Sequence, residues 1–284
     1  MKRFIVTTVL VFMLVTISAL SFLIYEVFSL QRQLNALSQQ VYTATDVADS
    51  NEMVDDSYLD DVYRVEDIDN DAVEGDIPKV YLTFDDGPSE NTEEILDILD
   101  DYNVKATFFV VGKDVEEYGD AYRRIVEDGH TIGMHSYVHT YDKLYASKES
   151  FVEDYNKIHQ LILDVTGVDT KYYRFPGGSS NNVSNVSKSE LINFLNEQGV
   201  VYYDWNVVAG DATAIAFTSD DIIDNVMSDV VKYKTSVVLL HDASNKDATV
   251  EALPGLIEAL QAEGAMILPI TDETTVIHHV NVVQ

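Results

Sequence analysis

The sequence predicts an α/β fold in which helices cover a parallel sheet of seven strands, arranged as a small β/α barrel, either complete or incomplete. From about residue 77, short apolar runs alternate with longer segments of helical period, which is typical of a parallel sheet. Polar residues follow several of the apolar runs, as they do at the active end of a β/α barrel. Glycines that can close a helix stand just past four helical segments, at Gly129, Gly167, Gly199 and Gly264.

The predicted elements follow from these runs. The strands are Val80–Phe84, Ala106–Val111, Thr131–Met134, Tyr172–Phe175, Val200–Val207, Ser236–Leu240 and Ala265–Ile270. The helices are Thr92–Tyr102, Tyr122–Asp128, Lys148–Thr166, Lys188–Gln198, Ser219–Tyr233 and Thr249–Glu263. Because the carboxyl ends of parallel strands share one edge, the polar residues after the strands are the candidates for chemistry.

Residues 1–30 predict a membrane anchor. The run Phe4–Val27 is almost continuously apolar, and about 20 apolar residues can span a bilayer as a helix. Lys2 and Arg3 precede it, so the N-terminus is expected inside the cell and the rest of the chain outside. A cleaved signal peptide is the alternative, but its apolar core would be about 7–15 residues and would end in small residues. We favour a single-pass anchor in the cell membrane; with cleavage the protein would be secreted.

Residues 31–76 predict an extended acidic linker. Asp and Glu recur throughout it, and Arg32 and Arg64 are its only basic residues. Such a segment repels itself and stays extended. The expected organisation is therefore an anchor over 1–30, a linker over 31–76 and a folded domain over 77–284.

Composition excludes several classes of partner and site. The formal net charge of −31 argues against nucleic acid, because phosphate binding needs Lys and Arg. The chain has no cysteine, so a disulfide or a cysteine-based metal site is impossible. Any metal must be held by His, Asp or Glu. No feature of the sequence indicates a protein partner.

Two adjacent carboxylates, Asp85 and Asp86, leave the first predicted strand and enter a Gly87-Pro88 turn. Consecutive side chains in a strand point to opposite sides, so the two can take different roles. Taken alone, the segment is more typical of an ordinary Asp-rich turn.

His135 and His139 follow the third predicted strand, and their spacing would place them on one face of a helical turn. Two histidines so spaced commonly bind one metal ion. With Asp86 they offer two imidazoles and a carboxylate, which leaves positions open for water and substrate. These ligands suit zinc, with cobalt or manganese as alternatives. Without the Asp pair, two surface histidines would explain the pattern equally well.

Three later strand ends carry further candidates. Arg174 is followed by a Pro-Gly-Gly turn that includes Gly177, a combination that can orient a carboxylate and present backbone N–H groups. Asp211 follows the fifth predicted strand. His241 emerges from the sixth, as a general acid or base would. Taken alone, Arg174 could be an ordinary loop residue, and a lone His241 would more often be a structural histidine.

In this order, the motifs resemble those of the polysaccharide deacetylases of carbohydrate esterase family 4, whose catalytic unit is the NodB homology domain. The resemblance covers roughly Pro78 to Ile270 and implies a distorted (β/α)7 barrel. The matching segments are Thr83-Phe84-Asp85-Asp86-Gly87-Pro88, His135-Ser136-x-x-His139, Arg174-Phe175-Pro176-Gly177, Asp211 and Leu239-Leu240-His241.

The resemblance implies a divalent metal held by Asp86, His135 and His139. It also implies the other roles: Asp85 as general base, Arg174 as its partner, Gly177 as the N–H donor to the oxyanion, His241 as general acid and Asp211 as the residue that orients it. Gly177 and Ala212 stand where the family often has aromatic residues, so a more open groove is expected.

The expected reaction is hydrolysis of N-acetyl groups on an extracellular glycan, with release of acetate. Peptidoglycan N-acetylglucosamine is the first expected substrate, because it is the N-acetylated polymer nearest an exported, tethered enzyme. Chitin oligomers or an exopolysaccharide are the alternatives, and removal of O-acetyl esters uses the same chemistry. A non-catalytic glycan-binding protein is the alternative from another class, but binding alone requires neither Asp85 nor His241.

Overall fold

The computed structural model describes residues 77–212 and 217–281. The predicted anchor and acidic linker lie outside these residues. Within the described part of the chain, no helix is long and apolar enough to cross a membrane.

The described residues form one sheet of eight strands, and every strand pair is parallel. The strands are β1 Lys79–Asp85, β2 Thr107–Val111, β3 Thr131–Ser136, β4 Tyr172–Tyr173, β5 Val201–Tyr202, β6 Val207–Val208, β7 Thr235–His241 and β8 Met266–Ile267. The order is β5-β4-β3-β2-β1-β7-β6, and β8 pairs with the start of β1. The prediction of a parallel α/β fold is confirmed.

The helices lie between the strands along the chain. They are α1 Thr92–Asp101, α2 Val115–Glu127, α3 Tyr141–Leu144, α4 Lys148–Thr166, α5 Lys188–Glu197, α6 Ser219–Val230 and α7 Asp247–Ala262. Local sequence fixes several ends. The side chain of Asp114 accepts the Glu116 N–H at the start of α2, and Gly167 closes α4 in left-handed backbone with φ 75°.

The two faces of β1 have different surroundings. Val80, Leu82 and Phe84 belong to the large core that also contains the buried faces of the helices. Tyr81 belongs to a second cluster, which also contains Phe109, Tyr203, Val237, Ile270 and Ile277. Because side chains alternate along a strand, Thr83 and Asp85 lie on the same face as Tyr81. The strand therefore ends with Asp85 on the inner face of the sheet.

The prediction of one continuous strand over Val200–Val207 is wrong, because this segment is divided into β5 and β6. Asn206 donates from its side chain to the Thr235 carbonyl at 2.9 Å and accepts the Val237 N–H at 2.7 Å. The preceding Asp204 accepts hydrogen bonds from Ser179 and from the His279 N–H. These contacts keep the residues between β5 and β6 out of the regular hydrogen bonding between strands. β5 pairs with β4 and β6 with β7, so the sheet path ends at these two strands and forms a half-barrel.

Several predicted bounds are also wrong. The helix predicted from Tyr122 begins earlier, at Val115. The prediction missed the first turn because that turn is exposed and carries no apolar stripe. The short helix α3 was not predicted. The strands predicted over Tyr172–Phe175 and Ala265–Ile270 are only two residues long as β4 and β8. The bounds of Lys148–Thr166 are confirmed.

Candidate active site and metal centre

The candidate residues meet at the carboxyl edge of the sheet. Asp85 at the end of β1 lies in register with His241 at the end of β7. Neighbouring strands are about 4.8 Å apart, so these two residues are adjacent. His135 is the penultimate residue of β3, and Arg174 directly follows β4.

Asp86, His135 and His139 form a cluster whose ligand atoms all lie within 4.8 Å of one another. The Oδ1 atom of Asp86 is 3.5 Å from His135 Nε2 and 3.1 Å from His139 Nε2. The prediction that the two histidines share a helical turn is wrong. His135 belongs to β3, and the chain then bends so that His139 returns towards Asp86 with left-handed backbone, φ 43°.

These three residues fit a divalent metal. The Asp86 Oδ1 atom is buried and has no hydrogen-bond partner among the described residues, although a buried polar atom normally has one. Metal bonds of about 2.0–2.2 Å in a tetrahedron place ligand atoms about 3.3–3.6 Å apart. The two Asp86–histidine distances lie close to that range, so one cation can satisfy all three side chains.

His135 is fixed as a neutral ligand. Its Nδ1 lies 2.8 Å from the Arg174 carbonyl, so Nδ1 carries the proton and Nε2 presents a lone pair towards Asp86. Burial lowers the pKa of His135 to about 3. A neutral imidazole is the form that binds metal.

The turn after β1 has little space for side chains. Asp86 adopts left-handed backbone with φ 77°, a conformation that Asp tolerates better than most residues. A Cβ atom on Gly87 would lie 2.2 Å from Asp242 Oδ2. That carboxylate is fully buried and accepts hydrogen bonds from Ser89 and Thr92, both at 2.6 Å. Glycine at 87 therefore allows the Asp86 turn to pack against Asp242.

Arg174 pairs with Asp85 inside the sheet. Its Nη1 is 2.9 Å from Asp85 Oδ1, and the arginine is completely buried. The guanidinium also donates to the Thr83 hydroxyl and to the carbonyls of Tyr203 and Asp204. Burial raises the pKa of Asp85, and the charge of Arg174 opposes that rise. The arginine thus favours the ionised carboxylate.

Asp211 holds His241 by two hydrogen bonds. His241 Nδ1 lies 2.8 Å from Asp211 Oδ1, and the His241 main-chain N–H donates to Oδ2 at 2.8 Å. Burial alone would lower the pKa of His241, but the hydrogen bond and charge of Asp211 raise it to about 9. The imidazole is therefore held in its protonated form at neutral pH.

Gly177 lies on the exposed loop after β4, with left-handed backbone at φ 76°. Its N–H has no acceptor among the described residues. A Cβ atom there would be 3.1 Å from Tyr141 Oη, so a tyrosine from α3 fills the space next to this glycine. Ala212 is exposed. Tyr141 was not identified from the sequence.

Sequence analysis assigned no role to four polar residues that support the site. Thr83, Asp154, Asp204 and Asp242 are buried, and their side chains bond to segments that carry the candidate residues. One signal was available for Asp154. It lies within the apolar stripe of α4, beside Phe151, Tyr155 and Ile158, where a carboxylate is out of place.

Comparison with known proteins identifies the family. The model of the family described as polysaccharide deacetylase matches residues 72–193. A putative polysaccharide deacetylase of Bacillus subtilis, YheN, is 32% identical over 205 residues, which cover 70% of this chain and 69% of that protein. The chain therefore belongs to the polysaccharide deacetylase family, carbohydrate esterase family 4, which hydrolyses acetyl groups on polysaccharides.

Other relatives have more specific names. A peptidoglycan-N-acetylglucosamine deacetylase of Bacillus cereus is 32% identical over 188 residues, covering 65% of this chain and 66% of that protein. A chitooligosaccharide deacetylase of Sinorhizobium fredii is 32% identical and covers 67% of this chain and 89% of that protein. The chain thus spans about two thirds of the two Bacillus proteins.

Solved structures agree with the fold. The catalytic domain of peptidoglycan N-acetylglucosamine deacetylase from Eubacterium rectale matches with a TM-score of 0.69 and 39% identity. The match covers 75% of this chain and 97% of that domain. The parallel half-barrel described above is thus the NodB fold.

Proposed function

We propose that this protein is a metal-dependent deacetylase that removes the acetyl group from N-acetylglucosamine residues of peptidoglycan. The observation that carries this proposal is the cluster of Asp86, His135 and His139 at the same sheet edge as the paired residues Asp85 and His241. Metal ligands, a base and an acid within one small area are what amide hydrolysis requires.

Asp86, His135 and His139 would hold the cation, with zinc as the first choice and cobalt or manganese as alternatives. A divalent cation at this site supplies positive charge that makes water more acidic and polarises an acetamide carbonyl.

Asp85 takes the proton from the attacking water. Its carboxylate is fixed by Arg174 at 2.9 Å, and its Oδ2 atom is 3.8 Å from His135 Nε2, next to the metal ligands. Arg174 favours the ionised form that a base needs. The N–H of Gly177, an exposed residue with no acceptor for this group among the described residues, donates to the oxyanion that develops on the acetamide oxygen.

His241 gives a proton to the departing amine. An amine leaves poorly unless it is protonated, and the raised pKa of His241 keeps a proton available near neutral pH. Asp211 binds Nδ1, which leaves Nε2 as the nitrogen that exchanges a proton with substrate. Acetate and a free amino sugar are the products.

Two considerations favour peptidoglycan. The Bacillus cereus relative and the Eubacterium rectale structure are both named as peptidoglycan N-acetylglucosamine deacetylases. A single-pass anchor over residues 1–30 and an acidic linker over 31–76 would hold domain 77–284 outside the cell membrane, within reach of the wall. The Sinorhizobium fredii relative supports chitin oligomers as the second candidate substrate.

The test is acetate release by the full-length chain supplied with zinc. Purified peptidoglycan and N-acetylglucosamine oligomers are compared, and Asp85→Asn is the control. Faster release from peptidoglycan, lost in the control, supports the proposal. Faster release from the oligomers would replace the substrate and keep the chemistry. Glycan binding with no acetate from either substrate would favour the glycan-binding alternative.

A further inference from the structure

We infer that Asp154 is a positioning residue that shapes the turn between His135 and His139 into a metal-binding geometry. This inference rests on the proposed metal centre. Asp154 lies on α4, outside the ligand cluster, and only 4% of its surface is exposed.

The Asp154 carboxylate is bonded to three consecutive residues of this turn. Its Oδ2 atom accepts hydrogen bonds from the Ser136 hydroxyl at 3.0 Å and from the Tyr137 N–H at 2.8 Å. Its Oδ1 atom accepts the Val138 N–H at 2.9 Å. Both carboxylate oxygens therefore act on the segment that joins the two metal-binding histidines.

The Ser136 hydroxyl extends this control to the second ligand. Its oxygen accepts the His139 N–H at 2.9 Å while the hydroxyl donates to Asp154. His139 is thereby held in left-handed backbone with φ 43°. That conformation is uncommon for a residue other than glycine and persists only when its surroundings enforce it.

The position of Asp154 indicates that packing alone does not explain it. Phe151, Tyr155 and Ile158 of the same helix are buried in the main core. Asp154 lies on this same face, at a position where an apolar residue would be usual. No Lys, Arg or His side chain of the described residues forms an ion pair with Asp154. The desolvated carboxylate is instead satisfied by donors of the turn. Its hydrogen bonds fix the shape of this turn.

Metal affinity is the property that this arrangement controls. Residues that orient metal ligands through hydrogen bonds typically change affinity by about 10–100-fold when they are replaced. Asp154→Asn keeps the size of the side chain, but the NH₂ group of asparagine would replace one oxygen that accepts hydrogen bonds from the turn. Two donors would then face each other. The turn then relaxes, and the two imidazoles no longer point to the same metal position.

The test measures zinc affinity of the full-length chain by competition with a chelator. We expect Asp154→Asn to bind zinc about 10–100-fold more weakly than the unaltered protein. Asp164→Asn is the matched control, since Asp164 lies on the same helix and, among the described residues, its side chain bonds only to Gln160 at the surface. That control is expected to bind zinc normally.

Two further measurements keep the inference testable. Ser136→Ala removes the hydroxyl link to His139 and provides a smaller change if Asp154→Asn fails to fold; weaker zinc binding is expected here too. Thermal unfolding of the metal-free proteins separates stability from ligand geometry. A lower midpoint with unchanged zinc affinity in both variants would overturn the inference and leave Asp154 a purely structural residue. If His139→Ala binds zinc as well as the unaltered protein does, the proposed metal centre itself is wrong.

Discussion

Asp211 binds His241 through both the ring and the main chain of the histidine, with Nδ1–Oδ1 and N–Oδ2 distances of 2.8 Å. Thr249 donates to the same Oδ2 atom at 2.9 Å. The Asp211 side chain is almost completely buried, so the carboxylate is fixed and the imidazole has one orientation. This pair sets the protonation state of the proposed general acid.

The pH dependence of turnover tests that pairing. A general acid works only while protonated, so kcat should fall as pH rises through the pKa of His241, which is about 9. Asp211→Asn removes the negative charge and lowers this pKa, so the fall should begin about 1–2 pH units lower. The measurement is kcat against pH from 6 to 10 with saturating metal.

Asp220→Asn is the control for that experiment, because Asp220 is an exposed acid in the first turn of α6. Its profile should match that of the unaltered protein. An unchanged alkaline limb in Asp211→Asn would show that Asp211 does not tune the acid.

The role of Asp85 can be separated from metal binding. Asp85→Asn removes the proposed base and leaves the metal ligands Asp86, His135 and His139 in place. We expect kcat to fall by about 10²–10⁴-fold, the usual contribution of general base catalysis. Zinc affinity, measured in parallel by calorimetry, should stay close to that of the unaltered protein. Near-normal turnover by this variant would mean that another group accepts the proton.

The ion pair between Asp85 and Arg174 predicts a coupled loss of stability. Replacing Arg174 by Gln leaves Asp85 as a buried, unpaired charge, which should lower the free energy of unfolding by about 3–5 kcal/mol. The double variant with Asp85→Asn removes both charges and should be less destabilised than the sum of the single variants. Urea unfolding measures all three. Strict additivity would contradict a direct interaction between the two side chains.

Gly87 tests the packing of the Asp86 turn. Alanine at this position would bring Cβ to 2.2 Å from Asp242 Oδ2, so the turn must shift. We expect a loss of about 1–3 kcal/mol in the free energy of unfolding, and weaker zinc binding because Asp86 moves with the turn. Gly167→Ala is the comparison: its φ of 75° imposes backbone strain, but among the described residues no atom outside its immediate chain neighbours lies within 4 Å of the added Cβ. It should lose stability without losing zinc affinity, and equal zinc affinity in both variants would contradict this account.

The parallel α/β fold could be predicted because its signals are local. Apolar runs and helical periods need only neighbouring residues, and α4 was predicted with its observed bounds. The division of the predicted strand Val200–Val207 depends on contacts that no local pattern contains. Asn206 bonds to β7, and Asp204 bonds to Ser179 and His279, all distant in sequence.

The candidate site, too, could be predicted from the sequence only in part. Asp86, His135 and His139 could be brought together from sequence because each follows or ends a strand of one parallel sheet. The conformation of the backbone that joins the two histidines could not be predicted, since a bend held by Asp154 replaces the expected helical turn. Tyr141 was missed for a similar reason: only the folded chain brings it next to Gly177.

The central claim is that acetate release depends on a metal held by Asp86, His135 and His139. The most direct measurement is acetate release from peptidoglycan by the full-length chain before chelation, after chelation and after zinc is returned, with His135→Ala treated in the same way. The account predicts release that is lost on chelation and restored by zinc in the unaltered protein, and no restoration in His135→Ala. Release that survives complete removal of metal, or that zinc restores equally in His135→Ala, would contradict it.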